Sequence, residues 1–390
     1  MKILFVRTKF LCYESNAVFF DEMEEELKKL GCEVITCDVM DEKTGQEEFP
    51  KLIGASFDAI IDFNSVLPLA QMEDGTPLLD KIDAPFFNYI VDHPMFHHRS
   101  LQVPLKNYHL ICIDRNHVAY ARECYPHMKS ITFLPLAAMK ALIPVKFEQK
   151  NTSILFSGTY MPSQEHYDKI MEFPQEHKKD TLAVIDRLLA DHSKPLEMIL
   201  KEYYAEKGIE LVGKELRDTM LTYYRADYFV RTYYRENLID GLLKEGLYLE
   251  VLGCDWENFR TKYEKNLKVR QGVGYALNLQ MIAKAKVLLS VQPLFKDGIH
   301  DRVFSAMANH TVAASDTSTY MEEEFADGED MLFYQPGNIT MLAQRLTDCL
   351  EHPEKMMDIA ESGYRKVMER HTWEVRMKQF VAQLQKLKRA

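Results

Sequence analysis

The chain has no surplus of positive charge: 48 lysines and arginines stand against 59 aspartates and glutamates, a formal net charge of -11. Nucleic acid and anionic membranes both demand a basic footprint, so neither is expected as a partner. A local basic pocket for a phosphorylated ligand is compatible with the same balance. Long hydrophobic runs are missing too. No window reaches the roughly 20 apolar residues of a membrane span, so no integral membrane segment is expected. The opening MKILFVRTKF is broken by Arg7 and Lys9 before a signal peptide's apolar region is reached. The seven cysteines (Cys12, Cys32, Cys37, Cys112, Cys124, Cys254, Cys349) are scattered without a CxxC pair. Free, mostly buried thiols in a reducing cytoplasm are the expectation. No fixed-period repeat is visible, and no segment is low in complexity.

What remains is the composition of a soluble globular enzyme, 46% hydrophobic and 27% charged. At about 150 residues per domain, 390 residues make two or three domains. The first third alternates short apolar runs (KILFVR, EVITC, DAIIDF, FFNYIV, HLICI, SITFLP) with helical spacing, as in AVFFDEMEEELKKLG, where lysines close the helix and Gly31 stops it. Near-continuous apolar strands separated by helices imply a parallel sheet covered on both faces. This domain should end near residue 140, followed by a linker, AAMKALIPVKFEQKN. The pattern restarts at TSILFSG, departs into a charged helical insertion at about 160–245, and resumes with LYLEVLG, LKVRQ, KVLLSVQPLF (a strand running out at Pro293), TVAAS and MLFY. The expected class is α/β, with two Rossmann-like domains (1–140 and 150–370) facing a cleft. HTWEVRMKQFVAQLQKL at 371–390 reads as an amphipathic helix with Trp373, Met377, Phe380, Val381 and Leu384 on one stripe.

In open parallel sheets, ligands sit beyond the carboxyl ends of the strands. Three stretches fall there. KDGIHDRVFSAMANH runs from a polar loop straight into a helix, whose first N–H groups and partial positive charge suit a phosphate. Gly298 permits close approach, Arg302 can fork onto diphosphate oxygens and His300 can add a donor; a solvated loop with Asp301 capping the helix fits the spacing equally well. In YIVDHPMFHH, Asp92 and His93 follow a strand directly, where either can take a proton from a hydroxyl, although a capping aspartate is an equal reading. Pro94 breaks the His93–His97 spacing that a zinc pair on a helix would need. Gly158 ends the strand TSILFS and opens toward the same edge. LTYYRADYFVRTYYREN, which carries Arg231 and Arg235 on one face, could contact phosphate or an acceptor, but a packing surface between helices is the favoured reading.

The series FSAMANHTVAASD, EEEFADGEDMLFYQPGN and LEHPEK resembles the donor-binding half of GT-B glycosyltransferases. The HDR of His300–Arg302, the HTW of His371–Trp373 and the Asp-His-Pro of YIVDHPMFHH are similar in particular to the CgeB-like, spore-maturation group. The resemblance implies a nucleotide-diphosphate sugar, UDP-linked, as donor substrate, with no separate cofactor and no metal. Donor contacts would come from Gly158, Asp297, Gly298, His300, Asp301, Arg302 and Ser305. The N-terminal domain would bind a protein, glycan or other acceptor, with Asp92 and His93 as catalytic groups, and the C-terminal helix would cross back onto it. Many retaining members carry two glutamates eight positions apart. Alignment puts Asp297 at the first and Ser305 at the second, so the carboxylate that usually holds the ribose is absent, and the stereochemical outcome stays open. A nucleotide-sugar epimerase on the same scaffold, or a non-catalytic sugar-binding or coat-associated protein, remains an alternative.

Overall fold

The computed structural model describes residues 1–8, 11, 15–41, 43–292 and 295–389; Pro293, the expected end of one strand, lies outside them. The chain forms two compact units. One comprises Met1–Leu136, Val212–Lys214 and Trp373–Ala390; the other comprises Ala137–Leu211 and Glu215–Thr372.

The first unit is built on strands β1 (Lys2–Arg7), β2 (Glu33–Asp38), β3 (Ala59–Phe63), β4 (Phe86–Ile90), β5 (Tyr108–Cys112) and β6 (Ser130–Phe133). They pair in parallel in the order β2-β1-β3-β4-β5-β6. Strands β3, β4 and β5 are buried at every residue, which is why they read as near-continuous apolar runs, while edge strand β2 keeps exposed positions. Helix Ser15–Lys29 ends as the sequence predicts: Gly31 adopts φ 78°, and the Cys32 N–H bonds back to the Leu27 carbonyl. The C-terminal helix, Trp373–Leu387, belongs to this unit. Its buried stripe is Trp373, Met377, Phe380 and Leu384, with Val381 half-buried. Trp373 meets Phe19 at 5.7 Å, Phe380 meets Phe87 edge-on at 5.2 Å, and the buried Arg376 Nε donates to the Pro135 carbonyl at 2.9 Å.

The second unit carries β7 (Thr152–Ser157), β8 (Leu249–Leu252), β9 (Leu267–Arg270), β10 (Ala285–Ser290), β11 (Val312–Asp316) and β12 (Leu332–Tyr334) in the parallel order β12-β11-β10-β7-β8-β9. Between β7 and β8 lie five helices, Ser163–Met171, Gln175–Ala190, Leu196–Ala205, Gly213–Thr222 and Tyr224–Lys244. The stretch expected to be a linker is fastened to this unit. Its Met139 N–H donates to Ser305 Oγ at 3.2 Å and its Ala141 N–H to Asn309 Oδ1 at 2.8 Å. Among the described residues no helix is long and apolar enough to cross a membrane.

Strand order locates the two places where a ligand can enter. In each sheet the chain reverses its direction of build-up once, between β1 and β3 in the first unit and between β7 and β10 in the second. At such a switch point the loops leave in opposite directions and open a crevice at the carboxyl ends.

Candidate functional site

The second unit's switch point holds the polar loop that the sequence singles out. β10 leads through this loop into helix Asp301–Ala308. The helix N-cap is His300 rather than Asp301, which is the first helical residue; His300 Nδ1 lies 3.2 Å from the Arg302 N–H. The same Nδ1 is 2.6 Å from Asp301 Oδ1, and Nε2 is 3.0 Å from Arg302 Nη2. Burial first, then Arg302, lower the His300 pKa, so the ring is neutral near pH 7. With its proton on Nδ1 a neutral ring donates to Asp301 and accepts from the guanidinium on Nε2; with its proton on Nε2 it instead accepts the Arg302 N–H on Nδ1 as the cap. Burial alone would raise Asp301, but His300 and Arg302 beside it, with a hydrogen bond from Tyr275 at 3.0 Å, hold it below the usual carboxylate range.

Arg302 reaches across the switch point, and its Nη1 donates to the Ser157 carbonyl at the end of β7, at 2.7 Å. Gly158 adjoins this contact. A Cβ there would lie 3.4 Å from both Arg302 Nη1 and the Phe156 ring. The next strand end is closer still, since a Cβ on Gly253, just after β8, would be driven into the Gly158 carbonyl. That carbonyl also accepts Trp256 Nε1–H at 2.7 Å. A second cation stands here, one that the sequence favours as packing. Arg235, from helix Tyr224–Lys244, donates to the Thr159 carbonyl, lies 5.6 Å from the Phe156 ring centroid, and helps to lower the His300 pKa. Its neighbour Arg231 follows the packing reading, paired with Asp227 at 2.6 Å and lying over Tyr228.

The rest of the loop is tied from behind. Buried Gln292 accepts the His300 N–H at 2.7 Å and donates to Ser315 Oγ at 2.9 Å. The carbonyl of buried Gly298 accepts the Ser318 hydroxyl at 2.6 Å, and Asp297 is half-buried beside it. Ser305 is not gathered with Arg302. It is buried one turn further in, and its hydroxyl receives the Met139 N–H, so at this position the chain anchors a segment of backbone. His371 of the HTW motif is buried and stacks on Phe304 at 4.5 Å, bracing the helix that begins with Asp301 and Arg302.

In the first unit, Asp92 follows β4 and its side chain is 48% exposed. Asn64, just after β3, has φ 46°, a left-handed conformation that asparagine tolerates better than most residues. From there its Oδ1 accepts the Val91 N–H at 3.0 Å and its Nδ2 donates to Asp92 Oδ2 at 2.8 Å, fixing the carboxylate. His97 Nε2 stands 3.6 Å from the same oxygen. His93, which sequence order pairs with Asp92, is buried, takes the Met95 N–H on Nδ1 at 3.1 Å, and packs against His117 and Tyr120. Asn64 and His97 were not predicted. The signal for the first was an asparagine directly after an apolar strand.

Residues 231–382 match a family model described as glycosyl transferase-like. No curated protein matches the chain. Among solved structures it is similar to a sucrose-phosphate synthase from Thermosynechococcus elongatus, at 11% identity over 99% of each chain with a TM-score of 0.56. It is similar to HepE of Anabaena in complex with UDP-glucose, at 9% identity over 99% of this chain and 100% of that one, TM-score 0.54. A glycosyltransferase from Rickettsia africae aligns at 11% identity over 99% and 98%, TM-score 0.55. At such identities the likeness is one of fold. The chain therefore has the two-domain GT-B fold of glycosyltransferases, and the part carrying Arg235, His300 and Arg302 is the part that matches the glycosyl transferase-like family.

Proposed function

We propose that the protein is a glycosyltransferase, of the CgeB-like group, that moves a sugar from a UDP-linked donor to an acceptor hydroxyl or amide of a protein or glycan. The observation that carries this reading is the second unit's switch point. Arg302 is held by Ser157 and His300 at the opening of a helix, with Arg235 at the same strand end. A diphosphate placed there would meet charge-assisted donors whose orientation is already fixed. As the sugar leaves, the same groups would stabilise the charge growing on the departing diphosphate, a task for which this reading needs no metal and no separate cofactor. UDP-glucose in the HepE structure, on the same fold, agrees with a uridine nucleotide.

The acceptor is assigned to the first unit. There Asp92, fixed by Asn64 and flanked by His93 and His97, would orient the acceptor hydroxyl or draw its proton. The test is a thermal-shift series over nucleoside diphosphates, followed by nucleotide release from UDP-sugars with and without candidate acceptors. Saturating ligand at about 100 times its Kd adds about 2.7 kcal/mol to the native state. Asp92→Asn should lower turnover and leave nucleotide affinity intact. If no nucleoside diphosphate stabilises the protein, the reading is wrong.

A further inference from the structure

One carboxyl group in the first unit has no place in the account so far. Asp62 lies inside β3, fully buried. In the parallel register it sits opposite Asn88 of β4, and the alternation of the strands puts it on the face away from Phe63, which packs on Phe20. Its Oδ2 accepts the Thr8 hydroxyl at 2.5 Å, while Oδ1 is buried and has no well-formed hydrogen bond among the described residues. A buried carboxylate with an idle oxygen costs stability, and such a group needs an explanation.

Its position supplies one. Thr8 follows β1 and Asp62 is near the end of β3, so the pair spans the switch point of the first sheet. Thr8 is half-buried, whereas the carboxylate it binds is sealed. Besides the proton given to Asp62, Thr8 Oγ1 receives the Val66 N–H at a long 3.4 Å. A hydroxyl has two lone pairs, so one remains to accept a proton from a bound group.

We propose that Thr8 and Asp62 form a proton relay for the acceptor hydroxyl bound at the β1/β3 edge. The proposal rests on the glycosyltransferase reading and adds where the acceptor's proton goes. As the acceptor oxygen bonds to the anomeric carbon, the bond from that carbon to the diphosphate breaks and its electron pair leaves with the diphosphate. The acceptor proton passes to Thr8 Oγ1, and the Thr8 proton passes to Asp62 Oδ2. Charge and atoms balance with no further reactant. Asp92 then orients the hydroxyl and Thr8 touches it, while Asp62 acts through Thr8.

The surroundings suit a group that must take a proton near neutrality. Burial pushes the Asp62 pKa up to about 7, against the lowering effect of the nearby Ser65 and Thr8 side chains and the Phe63 and Thr8 backbone. From β5 it faces the Tyr108 phenol, which burial keeps neutral and whose hydroxyl binds Asn88 and the Ser100 carbonyl. β4 offers the neutral amide of Asn88. Arg7, the last residue of β1, belongs by alternation to the opposite face and is paired with Asp38 at 3.1 Å. A base of this kind matches its working pH, where general-base catalysis is most effective.

The experiment measures nucleotide release from UDP-glucose, UDP-galactose and UDP-N-acetylglucosamine across pH 5.5–9 in the full chain, with UDP affinity alongside. In the parent, kcat should fall as pH drops through about 7. Asp62→Asn and Thr8→Val should lower kcat about 100-fold, flatten that limb and leave UDP affinity unchanged, whereas Thr8→Ser should stay within a few-fold of the parent. Thr8→Ser failing as badly as Thr8→Val would show that the methyl group's packing matters, and would overturn the relay. So would Asp62→Asn and Thr8→Val keeping the parent's rate and profile, in which case the glycosyltransferase reading would stand. A parent that binds no UDP and turns over no UDP-sugar would overturn both.

Discussion

Replacing Asp62 by asparagine should make the protein more stable, and by an amount that depends on pH. Asp62 is fully buried, and its pKa is raised from 3.8 to about 7 in the folded chain. Between those two values the folded state keeps a proton that the unfolded state has released, so folding is penalised as pH rises. The penalty is absent below about pH 4, grows by about 1.4 kcal/mol per pH unit, and is complete above about pH 7, where it reaches roughly 4 kcal/mol. Asparagine keeps the shape and the bond to Thr8 but has no proton to lose. Urea unfolding of parent and variant at pH 4.5, 6, 7 and 8 reads the difference directly, because other titrating groups are common to both. The variant's advantage should rise with pH to roughly 4 kcal/mol and then level off, with the m-value unchanged. A difference that stays flat across this range would refute the reasoning, since it would mean that Asp62 is ionised in the folded and the unfolded state alike.

Other outcomes follow from single contacts. Gly253→Ala forces a Cβ into the Gly158 carbonyl, so it should cost about 1–3 kcal/mol of stability in chemical denaturation and weaken UDP binding by displacing the strand end that Arg302 holds. Phe380→Ala empties the site against Phe87 and should lower stability by about 3–5 kcal/mol, while deletion from Trp373 onward should leave insoluble protein, because it removes four buried apolar side chains from the first unit. Arg235→Ala should reduce UDP affinity by isothermal calorimetry without altering the far-UV spectrum; an unchanged affinity would return Arg235 to packing alone.

The fold could be read from the sequence because its central strands are buried on both faces. KILFVR, DAIIDF and FFNYI are mostly apolar with no regular alternation, as strands of a doubly covered parallel sheet are. Part of the candidate site stood out for a related reason: a loop with His300, Asp301 and Arg302 runs straight from the end of an apolar strand into an apolar helix. What could not be read depends on pairings distant in sequence. Arg235 lies in a helix whose arginines and tyrosines look like a packing stripe, and only the fold brings it to the end of β7. Asp62 was hidden inside an apolar run, where sequence does not reveal whether a carboxyl is paired. Ser305 stands where an aligned glutamate would hold ribose, yet its hydroxyl is occupied by Met139, whose segment the sequence offered as a linker. Asn64 shows the same limit on a smaller scale, since its left-handed backbone is a property of the turn and not of the residue type alone.

The central claim is that Arg302 holds the diphosphate of a uridine nucleotide at the β7/β10 switch point. Isothermal calorimetry of UDP with the parent and with Arg302→Ala tests it most directly. The guanidinium is oriented by Ser157 and His300 before any ligand arrives, so its loss should weaken UDP binding by roughly 2–5 kcal/mol, the range for truncating one side of a buried charge pair. The variant should otherwise unfold like the parent. Measurable UDP binding by the parent that falls by this amount is the predicted result. No binding by the parent, or an affinity that Arg302→Ala leaves unchanged in a folded protein, would contradict the account.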